Sequence, residues 1–253
     1  MNIAFIPARL NSSRLPNKPL KNLNNISLLS HTYERTVLCS SIDKVFICSG
    51  DKLIEKEAKK KNYNFIFTKG KFTNGTERIF YAYSKIKKKI KDINLILDIQ
   101  CDNVFLNFKD LNKLINFHQK NKNLDIVIPH SITTEKKNCN FVKIVSNNNN
   151  KVLFLSRSDV PYHYYSKKCN LKKHLDFISF TEKGLFEYSK LKRKSTHEKI
   201  ENIELLRAVE NSINVGTYGP FRNILSINTQ EDFKNAKQLM NKDKIIKYYE
   251  KKI

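Results

Sequence analysis

The sequence has no apolar run approaching the roughly 18 residues of a membrane-crossing helix. Its opening, "MNIAFIPARL", also lacks the basic start and long apolar segment of a secretion signal. A cytoplasmic location is the resulting expectation. The five cysteines, Cys39, Cys48, Cys101, Cys139 and Cys169, form an odd, scattered set with no CxxC pair, which argues against both a disulfide framework and a zinc site. Reduced thiols are expected. Acidic residues are scarce, 24 against 47 basic ones, for a formal charge of +23. Such an excess favours nucleic acid when it gathers on one face, yet only 8 of the basic residues are arginines and the lysines spread over nearly every helical pattern. A chain-wide bias toward Lys, Asn and Ile explains the charge more simply. Neither nucleic acid nor a membrane is expected as a partner, whereas small anionic substrates are favoured.

At 253 residues and 40% hydrophobic, the chain can bury the core of one large α/β domain. Short runs rich in Ile, Val and Phe ("NIAFIPA", "DKVFICSG", "NFIFTK", "INLILDIQ", "LDIVIPH") alternate with segments that space apolar residues at three and four ("ISLLSHTYERTVLCS", "DKLIEKEAKKKN", "TERIFYAYSKIKKKIK", "FKDLNKLINFHQKN"). The alternation predicts a doubly wound, mainly parallel sheet with ligands at the carboxyl ends of its strands. Residues 135–185 break the pattern: "FVKIVSNNNNKVLFLSR" reads as two strands around a polar tip, followed by the aromatic loop "SDVPYHYYSKKCN" and the strand-like "HLDFISFT". An antiparallel insertion within a single 1–253 domain is the expectation. Beyond it, a helix over "EKIENIELLRAVEN", strands near "INVGTY" and "NILSIN" and a helix at "TQEDFKNAKQLMN" restore the α/β pattern.

Three stretches carry chemistry. "IPARLNSSRLPNKPL", residues 6–20, leaves the first strand as a long loop without glycine. Phosphate cradles usually use glycine to bring amides close, so anion binding here depends on Arg9, Arg14 and Lys18. In "NGTERI", residues 74–79, Gly75 suits a turn, Thr76 suits a helix cap and Glu77 a first helical turn. Third, "LDIQCDNVFL", residues 97–106, ends an apolar strand in Gln100, Cys101 and Asp102. That places a carboxylate at the ligand edge, where it can hold Mg²⁺ or simply form a turn.

Taken together, these stretches resemble the 3-deoxy-manno-octulosonate (Kdo) cytidylyltransferases over almost the whole chain. The family pattern IPAR-x-x-S-[ST]-R-L-P-x-K-P-L is matched by "IPARLNSSRLPNKPL", G-T-E-R by Gly75–Arg78 and Q-G-D-E-P by "QCDNV". Further on, N-x-V-K-V is matched by "NFVKI", S-R-x-x-I-P-[YW] by "SRSDVPY", R-H-L-G-I-Y-x-Y by "KHLDFISF", E-x-x-E-x-x-E-Q-L-R by "EKIENIELLR" and V-D-T-P-E-D-L by "INTQEDF". The resemblance implies a nucleotide-diphospho-sugar transferase-like fold. It also implies attack of a sugar-acid hydroxyl on the α-phosphorus of CTP, with Mg²⁺ as cofactor, giving a CMP-sugar and pyrophosphate for lipopolysaccharide synthesis. It implies that Arg9, Ser13, Arg14 and Lys18 clamp the triphosphate, that Gly75, Thr76, Glu77, Arg78 and Gln100 form the nucleotide pocket, and that Asp102 and Asn228 hold the metal. Gln100, Arg157, His174 and Glu204 match positions near the sugar acid, and a homodimer assembled through 135–185 is implied as well.

The chain departs from the pattern mainly at the ligand end. Asn228 stands where the family has the Asp of V-D-T, and Asn103 where an acidic residue follows the Asp102 counterpart; Asp98 stands where Asn is frequent. Leu205 replaces the Gln of E-Q-L-R, while Ile178 and Phe180 replace two tyrosines. Fewer hydrogen-bonding groups imply a less hydroxylated or differently substituted acid. A CTP- or CMP-sugar-binding homologue with weakened or lost catalysis is the alternative expectation.

Overall fold

The computed structural model describes residues 1–12, 14–165 and 170–252. Its elements in chain order begin with β1 (Asn2–Pro7), a 3-10 turn (Lys18–Leu20), β2 (Asn22–Leu23), β3 (Ile26–Ser27) and α1 (Leu28–Val37). Then come β4 (Lys44–Ser49), α2 (Lys52–Lys60), β5 (Phe65–Phe67), α3 (Gly75–Ile86), β6 (Leu95–Ile99) and α4 (Phe108–Lys120). These are followed by β7 (Ile126–Thr133), β8 (Lys143–Ser146), β9 (Val152–Ser156), β10 (Leu171–His174) and β11 (Phe177–Thr181). Then come α5 (Glu182–Lys190), α6 (Thr196–Glu201), α7 (Leu206–Glu210), β12 (Val215–Phe221) and α8 (Gln230–Met240), and two carboxyl-terminal 3-10 turns (Ile246–Tyr248 and Glu250–Lys252) follow. Two compact units result, 1–113 with 224–253 and 114–223, the division falling within α4.

In the first unit the strands order as β5-β4-β1-β6, all parallel, with Ile3 of β1 opposite Lys44 on one side and Ile96 on the other. Every residue of β1 and of β6 is buried. Strands covered on both faces read as continuous apolar runs, so Asp98, buried within "LILDI", stands out. Helices α1 and α8 start on local caps: the Ser30 N–H donates to Ser27 Oγ ahead of α1, and Thr229 and Asp232 form a reciprocal box ahead of α8. Between β1 and α1 the chain makes a small hairpin, β2 with β3, whose two corner residues, Asn24 and Asn25, both have positive φ (49° and 62°). Asparagine tolerates that conformation better than other side chains do. One apolar cluster contains Leu15, Val104 and Ile227 together with Phe233, Ala236 and Met240.

The second unit is built on β7. β12 runs parallel to it, while β10 and β11 pair with it antiparallel, and β8 continues from β10 to β9. The strands between 143 and 181 are thus antiparallel, and the tip of the β8–β9 hairpin lies in the asparagine run, with Asn150 at φ 61°.

Three expectations change. The helix expected over "EKIENIELLRAVEN" is two helices, α6 and α7, because Asn202 turns left-handed (φ 52°) and ends the first. "NILSIN" forms no strand; its apolar residues serve packing, with Ile227 fully buried in the cluster of the first unit. A helix absent from the sequence reading, α5, follows the Thr181 cap and buries Gly184, Leu185 and Tyr188.

Candidate active site

The loop after β1 is shaped by side chains and by one left-handed residue. The Ala8 N–H donates to the Cys48 carbonyl at 3.1 Å, extending the strand pairing by one step. The Leu10 N–H then donates to Asp51 Oδ2 at 3.0 Å, so the residue that opens α2 uses its carboxylate on the loop and makes no side-chain cap of its own. Asn17, at φ 54°, sends its N–H back to the Leu10 carbonyl at 3.2 Å and starts the 3-10 turn that presents Lys18. Arg9 and Arg14 are exposed on this loop. Ser13 lies outside the described residues.

Lys18 is where three distant segments meet. Its ammonium donates to Asp102 Oδ2 at 2.5 Å, just past β6, and to Asn228 Oδ1 at 3.2 Å, just before α8. Each of these segments has an apolar anchor within three residues of its polar group, Leu15, Val104 and Ile227, and all three anchors belong to the same buried cluster. The Lys18 and Asp102 side chains are each only 13% exposed. At that depth the pair is screened less than a surface ion pair.

The amino end of α3 lies beside this edge. Its cap is Asn74, whose Oδ1 accepts the Glu77 N–H at 2.8 Å; Thr76, expected as the cap, is fully buried two residues later, inside the helix. The helix starts two residues earlier than a Thr76 cap would allow, which moves the cap to Asn74. The Glu77 carboxylate turns back to the Thr73 N–H (2.9 Å) and hydroxyl (2.6 Å). A Cβ on Gly75 would come within 3.0 Å of Gln100 Nε2 and 3.5 Å of Pro7 Cγ, so α3 approaches the ends of β1 and β6 closely. The Gln100 amide donates to Asp98 Oδ1 at 2.7 Å, which fixes its orientation. Arg78 donates to Thr68 Oγ1 at 2.7 Å and lies 4.8 Å from the centre of the Phe72 ring. Burial lowers its pKa first, Cys48 and Asp51 oppose that, and repulsion from Arg9 adds to it. Arg9 and Arg78 therefore share one positive field. Asp51 and Thr68 were not candidates from sequence; Asp51 could have been found as the acidic residue two positions past the β4 end.

The thiols here are inert. Burial raises the pKa of Cys48 and pushes that of Cys101 up to about 12, so neither presents a thiolate. Cys39, Cys48, Cys101 and Cys139 are free thiols. Cys169 lies outside the described residues.

In the second unit, the Arg157 guanidinium donates to three backbone carbonyls: Glu201 at 2.8 Å, Cys139 at 2.9 Å and Asn202 at 3.3 Å. His174 ends β10 opposite His130 of β7, and burial lowers its pKa to about 4. It is therefore neutral at pH 7. Glu204 is half-buried, and its carbonyl accepts the Tyr188 hydroxyl at 3.3 Å. Leu205, Ile178 and Phe180 are all buried.

Comparison with known proteins fits this arrangement. A family model described as cytidylyltransferase matches residues 3–215. A 3-deoxy-manno-octulosonate cytidylyltransferase from Thermodesulfovibrio yellowstonii is 30% identical, covering 95% of this chain and 98% of its own. The chain belongs to the cytidylyltransferase family. Within that family, the 3-deoxy-manno-octulosonate cytidylyltransferase of Fusobacterium nucleatum is 29% identical over 94% of this chain and 95% of its own. An 8-amino-3,8-dideoxy-manno-octulosonate cytidylyltransferase from Shewanella baltica is 26% identical over 96% of this chain and 100% of its own. A solved CMP:2-keto-3-deoxy-manno-octonic acid synthetase complexed with CTP shares the fold, with a TM-score of 0.87 at 24% identity, over 95% of this chain and 98% of that one. The α/β architecture is thus that of a nucleotidyltransferase.

Proposed function

We propose that the chain joins CMP from CTP to a hydroxyl of 3-deoxy-manno-octulosonate or a closely related 3-deoxy-ulosonic acid. The sugar oxygen bonds to the α-phosphorus, the α–β phosphoanhydride bond breaks, pyrophosphate leaves and the hydroxyl proton passes to solvent. The observation that carries this reading is the meeting of Lys18, Asp102 and Asn228 at the strand ends in a chain of this family. Arg9, Arg14 and Lys18 would hold the triphosphate, and their positive charge stabilises the charge that builds on the α-phosphate and the departing pyrophosphate. Gly75, Thr76, Arg78 and Gln100 would shape the nucleotide pocket, with Glu77 bracing its Thr73 wall. Arg157, His174 and Glu204 remain the groups proposed for the sugar acid.

Mg²⁺ fits the residues present. Asp102 Oδ2 and Asn228 Oδ1 both reach one point, now taken by the Lys18 ammonium, and both are hard oxygen donors. Among the described residues no group of three or more His, Cys, Asp or Glu side chains gathers around a metal position. That suits Mg²⁺, which commonly takes one or two protein oxygens and completes its shell with phosphates and water. When bound, it would neutralise phosphate charge.

Replacement of an Asp by Asn228 supports a second reading, a CTP- or CMP-sugar-binding homologue with weakened catalysis. Pyrophosphate release from CTP and Mg²⁺, with 3-deoxy-manno-octulosonate, its 8-amino-8-deoxy analogue and other ulosonic acids, decides between them. Release with one acid establishes transfer and identifies the acid; CTP binding without release with any acid overturns transfer.

A homodimer assembled through 135–185 and a cytoplasmic location belong to the same reading. Exposed Leu153, Tyr162, Tyr164 and Tyr165 on that segment support the dimer, and the free thiols support a reducing compartment. No helix among the described residues is long and apolar enough to cross a membrane. Sedimentation at a mass near 30 kDa would rule out the dimer; the chain mass is 29.7 kDa.

A further inference from the structure

Two of the fully buried polar side chains of helix α1, Thr32 and Arg35, reach opposite ends of the segment bearing Asp102. The Thr32 hydroxyl lies 3.1 Å from the Cys101 carbonyl and 3.2 Å from the Leu28 carbonyl of its own helix, so one proton serves both. Arg35 Nη1 donates to the Leu106 carbonyl at 3.3 Å, and the guanidinium lies 5.9 Å from the centre of the Phe105 ring. Asp102, Asn103 and Val104 lie between these fixed ends. Arg35 is itself held from the carboxyl-terminal side: Nη2 donates to Asp243 at 2.7 Å and Nε to the Tyr249 hydroxyl at 3.1 Å. That hydroxyl in turn lies 2.7 Å from His31 Nδ1. A buried guanidinium is tolerated only when its donors are met, and here both the Asp102 segment and the chain end meet them.

We infer that Thr32 and Arg35 are positioning residues for Asp102. By gripping the segment at Cys101, Phe105 and Leu106, α1 holds the carboxylate against Lys18 before any substrate arrives. The inference deepens the proposed function and rests on its reading of Asp102 as a ligand-side carboxylate. Its physical weight comes from the steepness of positional catalysis, in which a displacement of about 1 Å can cost on the order of a hundredfold in rate. The carboxyl-terminal turns then act at a distance on the site, through Arg35.

Thr32→Val removes the hydroxyl at nearly constant volume, and Thr32→Ser keeps it. Both are gentler than changes at Arg35, which remove the ion-pair partner of the half-buried Asp243. In the free protein, the Asn103 and Leu106 amides close turns onto Gln100 and Asn103 at 3.1 and 3.0 Å, so their hydrogen exchange reports the segment directly. With Thr32→Val these amides should exchange about tenfold faster while those of β1 and β4 keep their protection. Mn²⁺ uptake in the presence of CTP should need roughly fivefold more metal, and kcat should fall about tenfold at unchanged KM for the sugar acid. Thr32→Ser should restore all three.

Unchanged exchange at Asn103 and Leu106 overturns the inference. So does uniform acceleration across the first unit, or no recovery with Thr32→Ser. Should the unaltered chain take up no Mn²⁺ with CTP, the metal assignment of Asp102 falls, and the exchange pattern still decides the clamp by the same outcomes.

Discussion

Lys18 and Asp102 lie 2.5 Å apart with both side chains 13% exposed, and Asn228 reaches the same ammonium from 3.2 Å. One carboxylate and one ammonium cancel, so this group of three carries no net charge in the free protein. An aspartate in place of Asn228 would leave it at minus one, and a cation would be drawn in more strongly.

Asn228→Asp is accordingly expected to lower the Mg²⁺ concentration for half-maximal pyrophosphate release by about tenfold, since ligand charge tunes the affinity of oxygen sites. A Mg²⁺ titration of initial rates measures it. An unmoved midpoint would remove Asn228 from the metal side of the site.

Gly75→Ala should raise the KM for CTP about fivefold and leave the melting temperature within a few degrees. Alanine is a better helix former than glycine, but its Cβ would press within 3.0 Å of Gln100 Nε2 and push that amide off Asp98. Steady-state kinetics beside a thermal melt separate the two effects. A large melting loss with unchanged KM would assign Gly75 to packing alone.

Glu198 and Arg207 form a buried two-point pair in the second unit, with both contacts at 2.7 Å and side chains 2% and 3% exposed. Glu198→Ala strands the guanidinium and should cost about 3–5 kcal/mol. Urea unfolding gives that loss directly. A change under 1 kcal/mol would mean that the site relaxes enough to hydrate Arg207.

Stability should also fall with acid. Burial lowers the pKa of His31, His130 and His174 to about 4, with Arg35 adding to the effect at His31 and Lys172 at His130. The unfolded chain binds these protons near pH 6.5 while the folded chain refuses them until about pH 4. The stabilisation is therefore complete above pH 6.5 and is lost as pH falls toward 4, by up to about 1.4 kcal/mol per pH unit for each histidine. Melting temperatures from pH 7.5 down to 4.5 test this; a flat profile would mean that these rings protonate without cost.

Much of this was legible in the sequence. "NIAFIP" and "LILDI" read as buried strands because parallel strands between helices need apolar residues on both faces, and β1 and β6 follow those runs. Lys18 and Asp102 drew notice because the fold class places ligands where such strands end. What periodicity could not reveal were contacts fixed only by the folded chain. Lys18 and Asn228 meet across 210 positions, and Arg35 and Asp243 across 208. The break at Asn202 was equally hidden, since the apolar spacing of "IENIELL" runs straight through a residue that turns left-handed. Arg157, matched by its motif to a sugar carboxylate, has its donors on backbone carbonyls in the free protein, and no spacing rule foretells that.

Asparagine fills six of the nine non-glycine positions with positive φ among the described residues: Asn17, Asn24, Asn25, Asn62, Asn150 and Asn202. With only six glycines in the chain, the corners of the fold have been handed to a side chain that reaches the left-handed region at some energetic cost. Asn17 shows what is gained, for it shapes the loop that carries Lys18 without the backbone looseness glycine would bring. The same bias that makes this protein so rich in asparagine thus also sets its backbone geometry: replacing a corner asparagine with a β-branched residue would strain the turn, whereas an exposed lysine carries no such constraint.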